Sequence, residues 1–545
     1  MNIFAGIVNI MSATLLDRLP ILCIATGILL FLAWPPFPFA FLLFIAFVPL
    51  LKGTDLILTK YSNSFPYRKA WLFGYASLFL WNATTTWWVS LSTLGGGIFA
   101  LLVNTLIMTL PYMLFVWTRR RIGNQASWIM LITGWIAYEY FHMRWELTWP
   151  WLTLGNGFAV QHTWIQWYEY TGVYGGTAWI LLVNILVYRA WYFNSKKNAL
   201  LSLAAIILPL IASFIIYSNT APDGGEEVEV ALLQTNFNPH TEKFDLPVAT
   251  VLNSMLELSE TGIDSTLDYL VWPETALPEN IHMKSLSNNP SLNKIRFLLQ
   301  EYPNLNVITG INAYNRYNSI AEAEEPETVR VLKSSKGDIY LNSYNTAILL
   351  DGTSEVQYYH KGKLVPGPEI YPYYKNLQWL NKLIPGLENY MGLLSTGPTR
   401  HNLIGKDGTA SATAICYESV FGEFVTGYVK NGADIIFVIT NDGWWGDSPG
   451  RKQHKAYAKL RAIENRRDVA RSANTGISCF INQRGDIVSD AGTNNAQVLR
   501  GTMYKNTKET VYVRNGDVIG RTSIWIAIAL FSVTLVRTLQ ARLKP

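Results

Sequence analysis

The chain of 545 residues reads as a polytopic α-helical membrane domain of about eight helices joined to an α/β domain on the far side of the membrane. Three observations predict this. Half of the residues are apolar and only 15% are charged, against about 25% charged in an average soluble protein. The apolar residues gather in 1–217 and in one last run at 522–539, whereas 218–520 is mixed in composition. Lys and Arg fall after every second apolar run, as cytoplasmic loops require. Together these exclude a disordered chain, a coiled coil and a purely soluble enzyme. The net charge of +5 is too mild to argue for nucleic acid, and three cysteines exclude a disulfide scaffold.

A bilayer core needs roughly 20 apolar residues of helix. Seven runs near that length precede the mixed region, at 18–35, 38–52, 70–91, 97–118, 127–143, 172–192 and 199–217. The second is short and follows Pro35, Pro36 and Pro38, so it forms a tight hairpin with the first. Basic residues follow the second run (Lys52, Lys60, Arg68, Lys69), the fourth (Arg119, Arg120, Arg121), the sixth (Arg189, Lys196, Lys197) and the last (Arg537, Arg542, Lys544). Both termini are then cytoplasmic, and the mixed region lies opposite. The domains expected are 1–217, 218–520 and 521–545. Between the fifth and sixth runs, Trp145, Trp149 and Trp151 read either as an interfacial aromatic belt or as the floor of a site that takes lipid. Residues 321–337 read as a solvated loop insertion.

Within 218–520, short apolar runs rich in β-branched residues predict strands at 228–233, 269–272, 307–309, 346–350, 412–416, 435–440 and 477–481. A helical pattern covers 453–466. Several strands end directly in polar residues: Pro273-Glu274, Tyr417-Glu418 and Asn441-Asp442. Layered α/β enzymes place their chemistry at such strand ends.

Three residues stand out. Cys416 ends one apolar strand, Glu274 ends another, and Lys361 lies in Tyr-His-Lys-Gly-Lys-Leu-Val-Pro. A thiol, a carboxylate and an ammonium suffice for acyl transfer. A free thiol has a pKa of about 8.5, so a neighbouring base must take its proton for it to attack at neutral pH. An ammonium can then face the oxyanion of the tetrahedral intermediate. Taken singly, each residue has an ordinary reading: a small buried hydrophobe, a surface acid and a solvated lysine. No histidine pair has metal-ligand spacing, and there is no phosphate loop or dinucleotide fingerprint, so no cofactor is expected.

The contexts of the three residues carry a resemblance. Trp272-Pro273-Glu274, Lys361-Gly362-Lys363-Leu364 and Cys416-Tyr417-Glu418 look like the three ordered motifs of the nitrilase (carbon–nitrogen hydrolase) superfamily. Seven spans before such a domain and one after it resemble the apolipoprotein N-acyltransferase family. Leu364-Val365-Pro366 with Glu369, residues 441–447, Arg461–Glu464 and Arg471–Gly476 extend the similarity along nearly the whole chain. The resemblance implies a four-layer αββα sandwich. It makes Cys416 the nucleophile and Glu274 the base and later acid. Lys361 becomes the oxyanion stabiliser, with the Tyr417 backbone N–H beside it. Glu369, Glu418 and Asn345 match supporting positions, Trp444 lines the pocket, and Phe244 stands where the family often has Trp. Two departures touch the Glu369 loop: Gly367-Pro368-Glu369 replaces the usual Phe-Gly-Glu, and Lys363 stands where His is common.

The activity implied is transfer of a fatty acyl chain from a membrane phospholipid, through a cysteine thioester, to the α-amino group of diacylglyceryl-cysteine lipoproteins. The protein would sit in a bacterial inner membrane as a monomer, with its catalytic domain periplasmic. The alternative is a membrane-tethered amidase acting on a small substrate, with water replacing the amine. Apolar residues at 371–394 (Trp379, Leu380, Leu383, Ile384, Leu387, Met391, Leu393 and Leu394) read as core packing or as an arm that dips into the membrane. In the second reading Gly386, Gly392 and Gly397 serve as hinges.

Overall fold

The computed structural model describes residues 18–333, 335, 337–377, 379–383, 391–397 and 399–543. Ile384, Gly386, Leu387 and Lys544 lie outside the described residues. The chain divides into two compact units. One holds the residues up to Arg144, Trp149–Ile216 and those from Asp517 on. The other holds Tyr217–Gly516 together with the short segment Trp145–Thr148.

The first unit is helical. Its helices are α1 (Leu19–Ala33), α2 (Val48–Lys60, preceded by a 3-10 turn from Ala40), α3 (Pro66–Thr86), α4 (Leu94–Arg121), α5 (Asn124–His142), α6 (Tyr168–Tyr192) and α7 (Lys196–Asn219). The last helix of the chain, Val518–Leu543, belongs with them. Among the described residues, five segments are long and apolar enough to cross a membrane: Ala40–Lys60, α4, α6, α7 and Val518–Leu543. Helix α1 is apolar but has only 15 residues, short of a full span. Helices α3 and α5 carry polar groups that face other helices. Asn82 is buried and accepts from Asn104 Nδ2 at 2.6 Å, and Glu139 accepts from Thr177 Oγ1 at 2.7 Å, Leu154 N at 2.8 Å and Trp135 Nε1 at 3.1 Å. Polar groups so buried must be paired inside the unit, and they lower the hydropathy of the helices that carry them. Trp151 is buried against Trp88 with ring centroids 4.9 Å apart, and Trp149 stacks on Trp151 at 5.8 Å. Trp151 is thus packed inside the unit, and Trp149, half-buried, lies against it.

The second unit contains fourteen strands among its described residues. The first sheet is built from β1 (Glu227–Gln234), β2 (Tyr269–Val271), β3 (Leu277–His282), β4 (Asn306–Tyr317), β5 (Arg330–Leu332), β6 (Ile339–Leu350), β7 (Gln357–His360) and β14 (Gln497–Tyr504). Its main path runs β14-β1-β2-β4-β6-β5, with β3 on β4 and β7 on β6. The second sheet runs β13-β12-β11-β10-β9-β8, from β8 (Leu403–Ile404), β9 (Ala410–Ile415), β10 (Ile435–Thr440), β11 (Val469–Ala473), β12 (Cys479–Ile481) and β13 (Ile487–Asp490). The central pairs β1–β2, β2–β4, β9–β10 and β10–β11 are parallel.

Alternation along the strands explains the layering. Val228, Val230 and Leu232 of β1, with Tyr269 and Val271 of β2, join one core with Ala412, Ile436 and Ala470 of the second sheet. The neighbouring Ala231, Leu233 and Leu270 face a separate core with α8 (Val248–Glu260) and α9 (Pro290–Glu301). Helices α10 (Gly422–Lys430) and α11 (Pro449–Asn465) pack on the second sheet. The result is a helix–sheet–sheet–helix sandwich. The sheets also bond directly: Ser472 Oγ of β11 donates to the carbonyls of Leu233 and Val271, each at 2.9 Å. Strand β5 is exposed along its length, in keeping with a solvated insertion.

Candidate active site

The residues singled out from the sequence converge where strands end. Glu274 follows β2, Lys361 follows β7 and Cys416 follows β9. The turn after β2 is tightly held. Trp272 N donates to Ile308 O at 2.8 Å, and Ala276 N donates to Gly310 O at 2.8 Å. Thr275, inside that turn, has φ of +44°, a conformation rarely adopted by a β-branched residue. A Cβ on Gly310 would lie 2.4 Å from Thr275 N and 2.8 Å from Glu274 Cα, so β4 needs glycine there. Cys416 also has positive φ, +52°, and opens a 3-10 turn over Cys416–Val420. Non-glycine residues in this region store strain that the surrounding structure must hold.

Lys361 is 1% exposed, and its ammonium bridges two carboxylates: Glu274 Oε1 at 3.0 Å and Glu369 Oε1 at 2.7 Å. Asn345 Nδ2 donates to the same two oxygens, at 2.8 Å and 3.3 Å. Glu369 Oε2 accepts from Val365 N at 2.8 Å, which closes its loop. The loop with the unusual Gly-Pro-Glu sequence is further fixed by the returning chain. Gly392 N donates to Gly367 O at 2.7 Å, and Leu394 N donates to Glu369 O at 2.9 Å. A Cβ on Gly392 would lie 2.2 Å from Pro368 O, so this glycine serves a close backbone approach. Trp379 and Leu383, further along the same segment, are 53% and 68% exposed and are not core residues.

Glu418 knits two loops together. Its Oε1 accepts from Gly362 N at 2.6 Å, Tyr359 OH at 2.7 Å and Lys363 N at 3.2 Å, and its Oε2 accepts from Ile415 N at 2.7 Å. One carboxylate therefore ties the chain around Lys361 to the turn of Cys416. Tyr417 points elsewhere, donating its hydroxyl to Thr148 O at 2.8 Å. Phe244 and Trp444 stack with centroids 6.0 Å apart, and both are more than a third exposed.

The electrostatics follow from burial and charge. Burial pushes the Glu274 carboxyl up, but the Lys361 ammonium, its hydrogen bond, Asn345 and Lys243 outweigh this and hold it below the usual range. Burial pulls Lys361 down, yet Glu274 and Glu369 keep it firmly protonated. The Cys416 thiol is pushed up, first by burial and then by Glu274, against the opposing pull of Lys361. Burial raises Glu418 to about 7, against its hydrogen bonds from Ile415, Tyr359 and Gly362. The arrangement thus rests as an ionised carboxylate, a charged ammonium and a protonated thiol. Such a set can pass a proton from sulfur to carboxylate while the sulfur attacks a carbonyl.

Two features went unread in the sequence. Lys243 is buried beside Glu274. Behind Cys416, Asp442 accepts from Arg471 Nη2 at 2.6 Å and pairs with His454 Nδ1 at 2.9 Å, and His454 Nε2 lies 3.2 Å from Cys416 O. Nothing in the local sequence marks Lys243. The Asn-Asp and Arg-Ser-Ala-Asn stretches did mark Asp442 and Arg471, without revealing that they meet.

Comparison with known proteins agrees with this architecture. Residues 26–186 match the apolipoprotein N-acyltransferase N-terminal domain family, and residues 229–510 match the carbon-nitrogen hydrolase family. The apolipoprotein N-acyltransferase of Chlorobaculum tepidum is 31% identical over 96% of this chain and 98% of its own length. Those of Geobacter metallireducens and Vibrio vulnificus are 27% and 26% identical, over 93% and 95% of this chain and 93% and 98% of their own lengths. A relative this similar along both units, with the two family regions in order, means that the chain belongs to the apolipoprotein N-acyltransferase family of carbon-nitrogen hydrolases.

Proposed function

We propose that this protein transfers a fatty acyl chain from a membrane phospholipid to the N-terminal α-amino group of diacylglyceryl-cysteine lipoproteins, through a thioester on Cys416. The observation that carries the reading is the buried contact of Lys361 with Glu274, 3.0 Å apart, in electrostatic reach of the Cys416 thiol. Glu274 takes the thiol proton as sulfur attacks the ester carbonyl. Lys361, with the Tyr417 backbone N–H, faces the oxyanion. The intermediate collapses, Glu274 returns its proton to the departing alkoxide, and a lysophospholipid leaves. The amine of the lipoprotein then attacks the thioester and gives a proton to Glu274. Sulfur leaves and is reprotonated. Asn345, Glu369 and Glu418 hold these groups in place, while Phe244 and Trp444 line the approach.

In this reading the protein is a monomer of a bacterial inner membrane with eight spanning helices, and the loop charges favour both termini in the cytoplasm and residues 218–520 in the periplasm. A membrane-tethered amidase would use the same groups with water in place of the amine. The extended helical unit and the full-length similarity to the acyltransferases favour the lipid reaction.

Mass spectrometry of the intact protein after incubation with phospholipid tests this. The expected result is a gain of one acyl chain on Cys416, lost on hydroxylamine treatment and discharged by a diacylated lipopeptide. An unmodified Cys416 with no lysophospholipid released would sink the proposal and favour the amidase.

A further inference from the structure

Lys243 is a buried lysine to which the reaction above gives no part. It is 1% exposed and comes from the loop after β1, where its own N–H donates to Asn238 O at 2.9 Å. Its ammonium donates to Glu274 O at 2.8 Å and to Thr275 Oγ1 at 3.0 Å. Both acceptors belong to the turn that carries Glu274. The N–H groups of Trp272 and Ala276 on either side are bonded to β4, so the strand holds the flanks of the turn. Lys243 holds its crest. A crest with a β-branched residue at positive φ does not keep its shape unaided.

We infer that Lys243 is a positioning residue: its ammonium clamps the Glu274–Thr275 crest and so fixes where the Glu274 carboxylate stands relative to Lys361 and Cys416. Burying a cation beside a carbonyl and a hydroxyl is costly unless those bonds matter. Burial draws Lys243 down to about 7, with the Glu274 carboxylate pulling the other way, and the amine has N–H groups for both bonds whether or not it carries the extra proton. The inference rests on reading Glu274 as the base.

The test is single-turnover acylation of the full-length protein by phospholipid, followed as mass gained on Cys416, together with thermal unfolding. Lys243→Met keeps the length of the side chain and removes the donors. Its rate at saturating phospholipid should fall by roughly 30- to 100-fold, the scale of a misplaced reacting group. KM for phospholipid should stay within about twofold, because the clamp touches no substrate. Thr275→Gly removes one bond and slows acylation by about three- to tenfold. In the Lys243→Met background it should instead raise the rate, because glycine takes positive φ without strain. Glu274→Gln serves as the control. If it acylates at the wild-type rate, the reading of the site fails, whatever Lys243 does. If Glu274→Gln is dead while Lys243→Met is as fast as wild type, the clamp is wrong. A Lys243→Met variant that loses rate and melting temperature in parallel, with no recovery from Thr275→Gly, also overturns it.

Discussion

At the scale of single residues, two carboxylates share one ammonium, and under the proposed mechanism the ionisation of Glu274 decides when the thiol can react. Protonated Glu274 cannot accept the Cys416 proton. Because Lys361, Asn345 and Lys243 hold its carboxyl below the ordinary range, the carboxylate persists as the medium is acidified. The Glu274 carboxyl should therefore stay ionised down to about pH 4.3, the ordinary value for glutamate. The first loss of acylation on acidification should come from Glu418, raised to about 7, as its protonation weakens the bonds that tie the Lys361 chain to the Cys416 turn. Stopped-time lysophospholipid release between about pH 8.5 and pH 4 checks this, and a rate that stays flat through pH 7 would contradict the part given to Glu418. Glu274, Lys361 and Cys416 were legible because each stands in a distinctive short context at the end of an apolar run. Lys243 was not, because a lysine between Glu242 and Phe244 reads as surface until the fold turns it inward.

At the scale of elements, the turn after β2 depends on the strand behind it. Gly310 lies on β4 with no room for a side chain between its backbone and that of Glu274 and Thr275. Gly310→Ala should therefore lower stability by about 1–3 kcal/mol as the backbone shifts. It should also cut acylation by about 10²-fold, because the shift falls on the residue proposed to take the proton. Thermal unfolding and acylation of this one variant check both, and an unchanged rate would show that the turn tolerates displacement. The strands buried on both faces, such as β10, were plain from their unbroken apolar runs. Others were hidden. Strand β11 reads Val-Ala-Arg-Ser-Ala, and its buried arginine is paired with Asp442, just past the neighbouring strand, and donates to Ile477 O. Strand β14 carries Arg500, Gly501 and Thr502, and only its antiparallel register with β1 makes it a strand. Pairing of this kind is long-range and leaves little local pattern.

At the scale of the whole molecule, the apolar runs located the helices, including α3 and α5, whose buried Asn82 and Glu139 find partners inside the unit. Arg119 belongs to a basic cluster that argues for a cytoplasmic loop, yet it is 9% exposed and paired with Asp55 at 2.9 Å, so it also serves packing. The orientation has a direct check. In spheroplasts, a membrane-impermeant maleimide should label Glu324→Cys at once and Ser62→Cys only after lysis; the opposite pattern would reverse the assigned sidedness. The resting state of Cys416 has a further bearing. Peroxide and disulfide exchange both consume thiolate, and both need access to the sulfur. Cys416 is 8% exposed, and burial holds its thiol protonated. The burial that pushes the thiol up also makes it a slow target for oxidants, so the sulfur can stay reduced where oxidants are present.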